Sequence, residues 1–320
     1  LDPSTGESSL ALVRRVLMKV DVVIVGGGAA GTAAGINLAR ANRTVCIIDD
    51  GKPRNRYSEH AHGIVGLDAV NPVALLARGH REFESFGGTI TRGRAERLIR
   101  EADGEWAVVL STGAQVSAAN VLVATGITDE LPRVPGLSEL WGKRVFHCPY
   151  CHGHEVRGSD LAVVGGENPE FTLRISGLLT KWARSVTLYL NGMGLLAHQK
   201  ERLEACGVTI ISSPVKAVTA VENDGEGVEL RTSEEFTRFD ACFTGPKFIP
   251  NDALLRQAGC AVSDGWVEVK KGKTSQPGIW AVGNVVSSPD QVSQALGAGA
   301  AVAVAIDQAM FDAYVDSLLV

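Results

Sequence analysis

Val20-Asp21-Val22-Val23-Ile24-Val25 runs directly into Gly26-Gly27-Gly28-Ala29-Ala30-Gly31. The first six residues read as a continuous apolar strand of the buried parallel type. The next six spell G-x-G-x-x-G and open a helix that should run to about Ala41. Strand, glycine turn and helix in that order form a dinucleotide cradle. Gly26 permits the tight turn, Gly28 lets the backbone approach a pyrophosphate, and Gly31 lets helix and strand pack closely. The helix N-terminus attracts phosphate. The next strand, Thr44-Val45-Cys46-Ile47-Ile48, ends in Asp49-Asp50, and an acid there is placed to accept hydrogen bonds from an adenosine ribose. A turn that merely packs would not need that acid.

A chain of 320 residues suggests about two domains. A hydrophobic content of 45% supplies a sizeable core, and a net charge of -5 points away from nucleic acid. No apolar run reaches the roughly 18 residues of a membrane span. Six cysteines are too few for a disulfide-built secreted scaffold. Cys46, Cys206, Cys242 and Cys260 stand singly and read as small buried side chains, which fits a reducing cytoplasm. Leu1 to Leu17 lacks an initiator Met, and its apolar part is too short for a secretory signal. It is expected to be an extension outside the fold, which then begins at Met18.

Further along, Asn71 should cap a helix that starts at Pro72 and stops at Gly87-Gly88. Short strands around 89–99, 106–110 and 115–118 suggest a β meander laid on the sheet. Asn120 to Gly126 reads as another buried strand ending in Ala124-Thr125-Gly126, and Ile127 to Gly136, with two prolines, as a linker. Leu161 to Gly166, a helix to about Trp182, and the strand Val186 to Leu190 repeat the opening architecture. The fold class is therefore α/β, with two Rossmann-like halves. Gly278 to Asn284 gives a strand and glycine turn. The Ala/Gly-rich segment from Val292 to about Tyr314 suggests a helix packed closely against a sheet or ligand, or a buried terminal helix only.

Between the halves lies Phe146-His147-Cys148-Pro149-Tyr150-Cys151-His152-Gly153-His154-Glu155. Two thiols two residues apart can close and reopen a small disulfide, and neighbouring imidazoles can exchange protons with sulfur. Zinc is the competing use of Cys148, Cys151, His152 and His154. Adjacent ligands crowd each other, however, and no second pair follows at zinc-finger spacing, so no metal is expected.

In this order the motifs resemble the low-molecular-weight thioredoxin reductase family, from Met18 onward. The resemblance implies a homodimer with two nucleotide-binding domains of three-layer ββα type, the second inserted in the first. Residues 18–130 and 246–320 would bind FAD, and residues 131–245 would carry the cysteines. By position, Gly26, Gly28, Ala29, Ala30 and Gly31 would hold the FAD pyrophosphate, and Asp49, with Asp50 beside it, the ribose. Arg54, Asn55 and His62 would lie along the flavin, with Ala124, Thr125 and Gly126 lining the cradle. Gly283 and Asn284 would meet the ribityl–phosphate region, and Gln294 and Ala295 the pyrimidine edge. The family usually has Asp where this chain has Asn284.

The second glycine turn departs from the family. Gly165-Gly166-Glu167-Asn168-Pro169-Glu170 puts like charge where phosphates would sit, and Pro169 lacks an N–H. No lysine or arginine follows Leu190 before Lys200 to hold a 2′-phosphate. Poor or absent NADPH binding is the expectation. The C-P-Y-C-H-G-x-E pattern, with His152 where classical members carry an acid, resembles the dithiol-oxidase branch, which closes disulfides in natural products such as gliotoxin, holomycin and romidepsin-type depsipeptides. That resemblance implies a small-molecule dithiol substrate and oxygen as acceptor. Cys148 would be the exchange thiol, Cys151 the flavin-proximal one and His152 the acid/base, with His147 and His154 as alternates. The competing expectations are a reductase fed by NADPH or ferredoxin, and a non-catalytic flavoprotein thiol sensor.

Overall fold

The computed structural model describes residues 16–221 and 227–319. Residues 1–15, most of the expected extension, lie outside the described residues. The first strand begins earlier than expected. β1 spans Val16–Val25, and Val16 pairs with Gln115 and Met18 with Val116.

From there run α1 (Ala29–Arg40), β2 (Val45–Asp49), α2 (Pro72–Ser85), β3 (Thr89–Arg92), β4 (Ala95–Arg100), β5 (Trp106–Leu110) and β6 (Gln115–Val123). Asn71 caps α2 as expected, its Oδ1 accepting the Ala74 N–H at 3.0 Å. The order in the first sheet is β3-β2-β1-β6-β5-β4. Two expectations are corrected here. Residues 115–123 form one strand rather than two. The meander is hydrogen-bonded into the sheet through β5 and β6 rather than laid on it. β3 instead joins the parallel side, next to β2.

Next come β7 (Ile127–Glu130), β8 (Val145–Phe146), α3 (Pro149–His152), β9 (Asp160–Val164), α4 (Pro169–Leu179), β10 (Ser185–Tyr189), α5 (Ala197–Ala205) and β11 (Val208–Ile211). β12 (Ala217–Ala220), β13 (Val228–Arg231), β14 (Phe236–Phe239), β15 (Ala241–Thr244) and β16 (Lys247–Pro250) follow. The second sheet, β11-β10-β9-β15-β8, is parallel throughout. β12, β13 and β14 form its antiparallel companion. The expected linker starts as a strand, because β7 pairs antiparallel with β16 where the chain leaves and re-enters the first half. The remaining elements are α6 (Ala253–Gln257), β17 (Val262–Ser263), β18 (Trp266–Val267), β19 (Ile279–Ala281) and α7 (Val292–Leu318). β19 returns to pair with β6.

The apolar strands read as continuous runs because both faces are covered. Along β1, Val23 and Val25 join the core beneath β5 and β6. The alternate residues Val22 and Ile24 face α1 and α7, packing with Ala34, Leu38 and Ile306. In the second sheet Val163 and Leu188 pack on Ile175 and Leu179 of α4. α7 is long and apolar enough to cross a membrane by length and composition, contrary to the reading of the sequence. It lies along α1, and a Cβ at Gly299 would stand 2.1 Å from the Ala30 carbonyl oxygen. Cys46, Cys242 and Cys260 are buried as expected, while Cys206 is exposed at the C-terminal end of α5.

Candidate functional site

The first glycine turn is closed where it must pack and open where a ligand would come. Gly26 has φ +107°, and a Cβ there would lie 2.5 Å from the Ala124 carbonyl oxygen. A Cβ at Gly31 would lie 1.9 Å from the Gly26 carbonyl oxygen. A Cβ at Gly28 would meet nothing within 4 Å. α1 has no side-chain cap and no acid in its first turn, so its leading N–H groups await an acceptor. That combination fits a pyrophosphate.

Asp49 stands beneath this turn. Its Oδ1 accepts the Gly27 N–H at 2.9 Å, and its Oδ2 accepts from Gly51 N–H and Arg92 Nη1. Asp50 is exposed and accepts the Lys52 N–H at 3.2 Å. His80, on α2, meets the Gly27 carbonyl through Nε2 at 2.8 Å. Arg92 and His80 were not legible in the sequence; both arrive through the pairing of β3 and the packing of α2.

The C-terminal pieces converge on the same turn. Gly283, at φ +75°, brings its backbone to Ala30, where a Cβ would stand 3.0 Å from the Ala30 Cβ. Asn284 Oδ1 accepts the Asp290 N–H at 2.8 Å, which leaves its amide N–H groups to donate. Gln294 reaches back to the Gln291 N–H at 2.8 Å, and Ala295 follows in the first turn of α7. Thr125 Oγ1 donates to the Asn251 carbonyl, and Gly126 takes φ +67°.

The cysteine motif sits at the carboxyl end of β8. Cys148 and Cys151 are joined as a disulfide. α3 is a single turn in which Cys151 and His152 N–H groups donate to the Cys148 carbonyl. A Cβ at Gly153 would strike the Pro149 carbonyl and the Trp182 ring, so the chain leaves α3 against Trp182. Tyr150 stands exposed, edge-on to that ring.

The three histidines of the motif separate sharply. His152 stacks on Phe146 at 4.2 Å, and its Nδ1 is enclosed with no partner. Burial pulls its pKa down to about 4 against the opposing pull of Glu155. His147 stacks on Trp141, and its Nε2 lies 3.1 Å from Arg54 Nη2. Because a guanidinium only donates, this nitrogen is the acceptor. Burial first, then the Arg54 charge, push His147 to about 3. His154 is exposed.

Residues 54–62 of the first half reach the motif. Arg54 donates through Nε and Nη2 to Asp129 on β7, at 2.8 Å each. It is thus held by Asp129 and His147, with half-buried Asn55 next to it. His62 meets Asp68 through Nδ1 at 2.9 Å and Glu155 through Nε2 at 3.6 Å. Ser293 Oγ donates to the Gly63 carbonyl at 2.5 Å, tying this loop to the start of α7.

The second glycine turn is built differently from the first. The Pro132 ring covers Gly166, where a Cβ would lie 2.6 Å from the Pro132 Cγ. Asn168 caps α4, its Oδ1 accepting the Phe171 N–H at 3.3 Å, and its Nδ2 donates to the Pro246 carbonyl. Glu167 is ion-paired with Lys247 at 3.6 Å. After β10, Asn191 donates to the Gly165 carbonyl and accepts the Val215 N–H.

Residues 20–299 match the family model described as pyridine nucleotide-disulphide oxidoreductase. Thioredoxin reductase aclD of Aspergillus oryzae is 30% identical over 305 residues, covering 91% of this chain and 97% of that protein. Thioredoxin reductase sirT of Leptosphaeria maculans is 27% identical over 297 residues, covering 87% and 90%. The crystal structure of HlmI is similar at a TM-score of 0.89 and 37% identity, covering 94% of this chain and 95% of that one. Thioredoxin reductase-like enzymes of this family use FAD, and the uncapped start of α1 with open space at Gly28 suits its pyrophosphate. With a match along most of its length, this chain belongs to the pyridine nucleotide-disulphide oxidoreductases, as a thioredoxin reductase-like flavoenzyme.

Proposed function

We propose that the protein is an FAD-dependent dithiol oxidase that closes a disulfide in a small-molecule dithiol through Cys148 and Cys151, with oxygen as electron acceptor and no need for NADPH. The observation that carries this reading is the contrast between the two helix N-termini. A dinucleotide phosphate needs free N–H donors and room for the backbone to approach it. α1 offers both. At α4 the cap is taken by Asn168, the glycine is covered by Pro132, and the Glu167 carboxylate, paired with Lys247, stands where the first turn has a glycine open to solvent.

Bound FAD supplies a two-electron acceptor for the cysteine pair. A substrate thiolate attacks Cys148, the Cys148–Cys151 bond breaks, and Cys151 leaves as a thiolate. The second substrate thiol then attacks the substrate sulfur of the mixed disulfide, and the cyclised product departs as Cys148 is released. One disulfide is consumed and one formed, so two electrons reside on the cysteine pair. His152, next to Cys151 in the chain and neutral at working pH, is enclosed at Nδ1 and leaves the thiol protons to another group. Around the cofactor, Gly26 to Gly31 would cradle the pyrophosphate and Asp49 the ribose, with Asn55, Asn284, Gln294 and Ala295 toward the ribityl chain and flavin.

Residues 18–130 and 246–320 serve on this reading as the FAD-binding domain, with 131–245 inserted. The molecule works as a cytoplasmic homodimer without nucleic-acid or membrane partners. The test is turnover in air. Dithiothreitol should be oxidised with stoichiometric peroxide and no nicotinamide. NADPH-driven reduction of a thioredoxin would instead make the chain a reductase, and no turnover in either assay would leave a thiol sensor.

A further inference from the structure

Closing a disulfide releases two protons as well as two electrons, and the steps above leave the route of the protons open. His152 is a poor carrier: its ring is stacked on Phe146, its Nδ1 has no partner and its pKa is pulled to about 4. His147 is committed at Nε2 to Arg54. His60 faces a backbone carbonyl, that of Ala69, which cannot carry a proton onward.

His62 differs from all of these. It has a carboxylate beside each ring nitrogen, Asp68 hydrogen-bonded at Nδ1 and Glu155 at an ion-pair distance of 3.6 Å from Nε2. An imidazole relays a proton by taking it at one nitrogen and releasing it from the other, and a cationic ring here has an anion on either side. Side-chain exposure runs from 38% at Glu155 through 21% at His62 to 82% at Asp68. The row therefore runs from the cysteine motif through a half-buried ring to Asp68, the side chain most open to solvent. Glu155 belongs to the cysteine motif itself, four residues after Cys151. The bridge between Ala61 and Val70 closes the loop that holds His62 and Asp68.

We propose that His62, held between Glu155 and Asp68, is the proton outlet of the dithiol reaction. Glu155 takes the proton as a substrate S–H bond breaks, the ring accepts it at Nε2 and releases one from Nδ1, and Asp68 passes it to water. The electron pair stays on the substrate sulfur and forms its new bond to Cys148, and the Cys148–Cys151 bond breaks with its pair leaving on Cys151. Glu155 is the group that meets the substrate; His62 and Asp68 act through it. The charged and titratable groups facing His62 are His60, Asp68, His152 and Glu155, with His154 acting on Asp68.

The proposal rests on the dithiol-oxidase reading for its substrate, but the step can be measured separately. The FAD-loaded protein is mixed with dithiothreitol without oxygen and quenched with iodoacetamide, and alkylation at Cys148 and Cys151 is counted by mass spectrometry from pH 5.5 to 9. Glu155→Gln and His62→Gln should each slow disulfide reduction about 100-fold near pH 6.5. The deficit should shrink at high pH, where the reagent supplies its own thiolate. Glu155→Asp should recover most of the rate, and Asp68→Asn should lose less, because water can take the last proton. Wild-type rates in Glu155→Gln and His62→Gln at every pH would overturn the proposal, as would a loss that is constant with pH. If His62→Gln loses its flavin, the comparison of Glu155→Gln with Glu155→Asp decides. A wild-type protein whose disulfide is reduced in this way but that never turns over in air would refute the oxidase reading and leave this pH comparison intact.

Discussion

Cys148 and Cys151 are the one close cysteine pair in the sequence, and their spacing announces the chemistry. Each of Cys148→Ser and Cys151→Ser should abolish dithiol oxidation while the visible flavin spectrum persists. Near-normal turnover in either would exclude a relay through this disulfide. The roles of the histidines were not legible. Arg54 meets His147 from 93 positions away, and burial, not local sequence, lowers the pKa values of His147 and His152. Those values carry a stability signature. Above about pH 6.5 both rings are neutral in folded and unfolded chains alike, and the folded state keeps its full stability. Below that, the unfolded rings bind protons while the folded ones stay neutral until about 4 and about 3. Stability should therefore fall as pH drops from 6.5 toward 4, by up to about 1.4 kcal/mol per pH unit for each ring. Urea midpoints of wild type and His147→Gln across that window test this: the variant should show the shallower slope.

At the scale of elements, the glycine turns state their purpose in sequence but not their environment. Gly31→Ala would press a methyl group onto the Gly26 carbonyl, 1.9 Å from the new carbon. Overpacking of this kind costs about 1–3 kcal/mol or more, and the variant should be recovered with little flavin and a lowered melting temperature. Gly28→Val points into open space. It should fold with an unchanged far-ultraviolet circular dichroism spectrum yet hold FAD weakly, a split that ultrafiltration of the yellow protein would read. α1, α2 and the parallel strands were legible because periodicity and caps are local. β6 reads as two strands in the sequence because exposed Ala119 and the polar Asn120 interrupt its apolar run. β7 reads as linker in the sequence because its partner β16 lies far along the chain. The self-capped start of α4 was half legible: Glu167 and Pro169 argued against phosphate, but Pro132 and Lys247 reach it only through the fold.

For the molecule as a whole, the two Rossmann-like halves and their order followed from repeated motifs, whereas the contact between residues 54–62 and the cysteine motif did not. α7 adds a surface that the single chain leaves uncovered. Val304, Phe311 and Leu318, at every seventh position, and Tyr314 beside them are each more than half exposed. Burying such a stripe favours association. Sedimentation velocity should show a dimer, and Phe311→Glu should shift it to single-chain mass. The central claim, that electrons enter from a dithiol and not from a nicotinamide, is tested most directly by following the flavin absorbance of the FAD-loaded protein without oxygen. Dithiothreitol should bleach it, and air should restore the colour with peroxide formed. Stoichiometric NADPH should leave it oxidised, and rapid bleaching by NADPH would contradict the account.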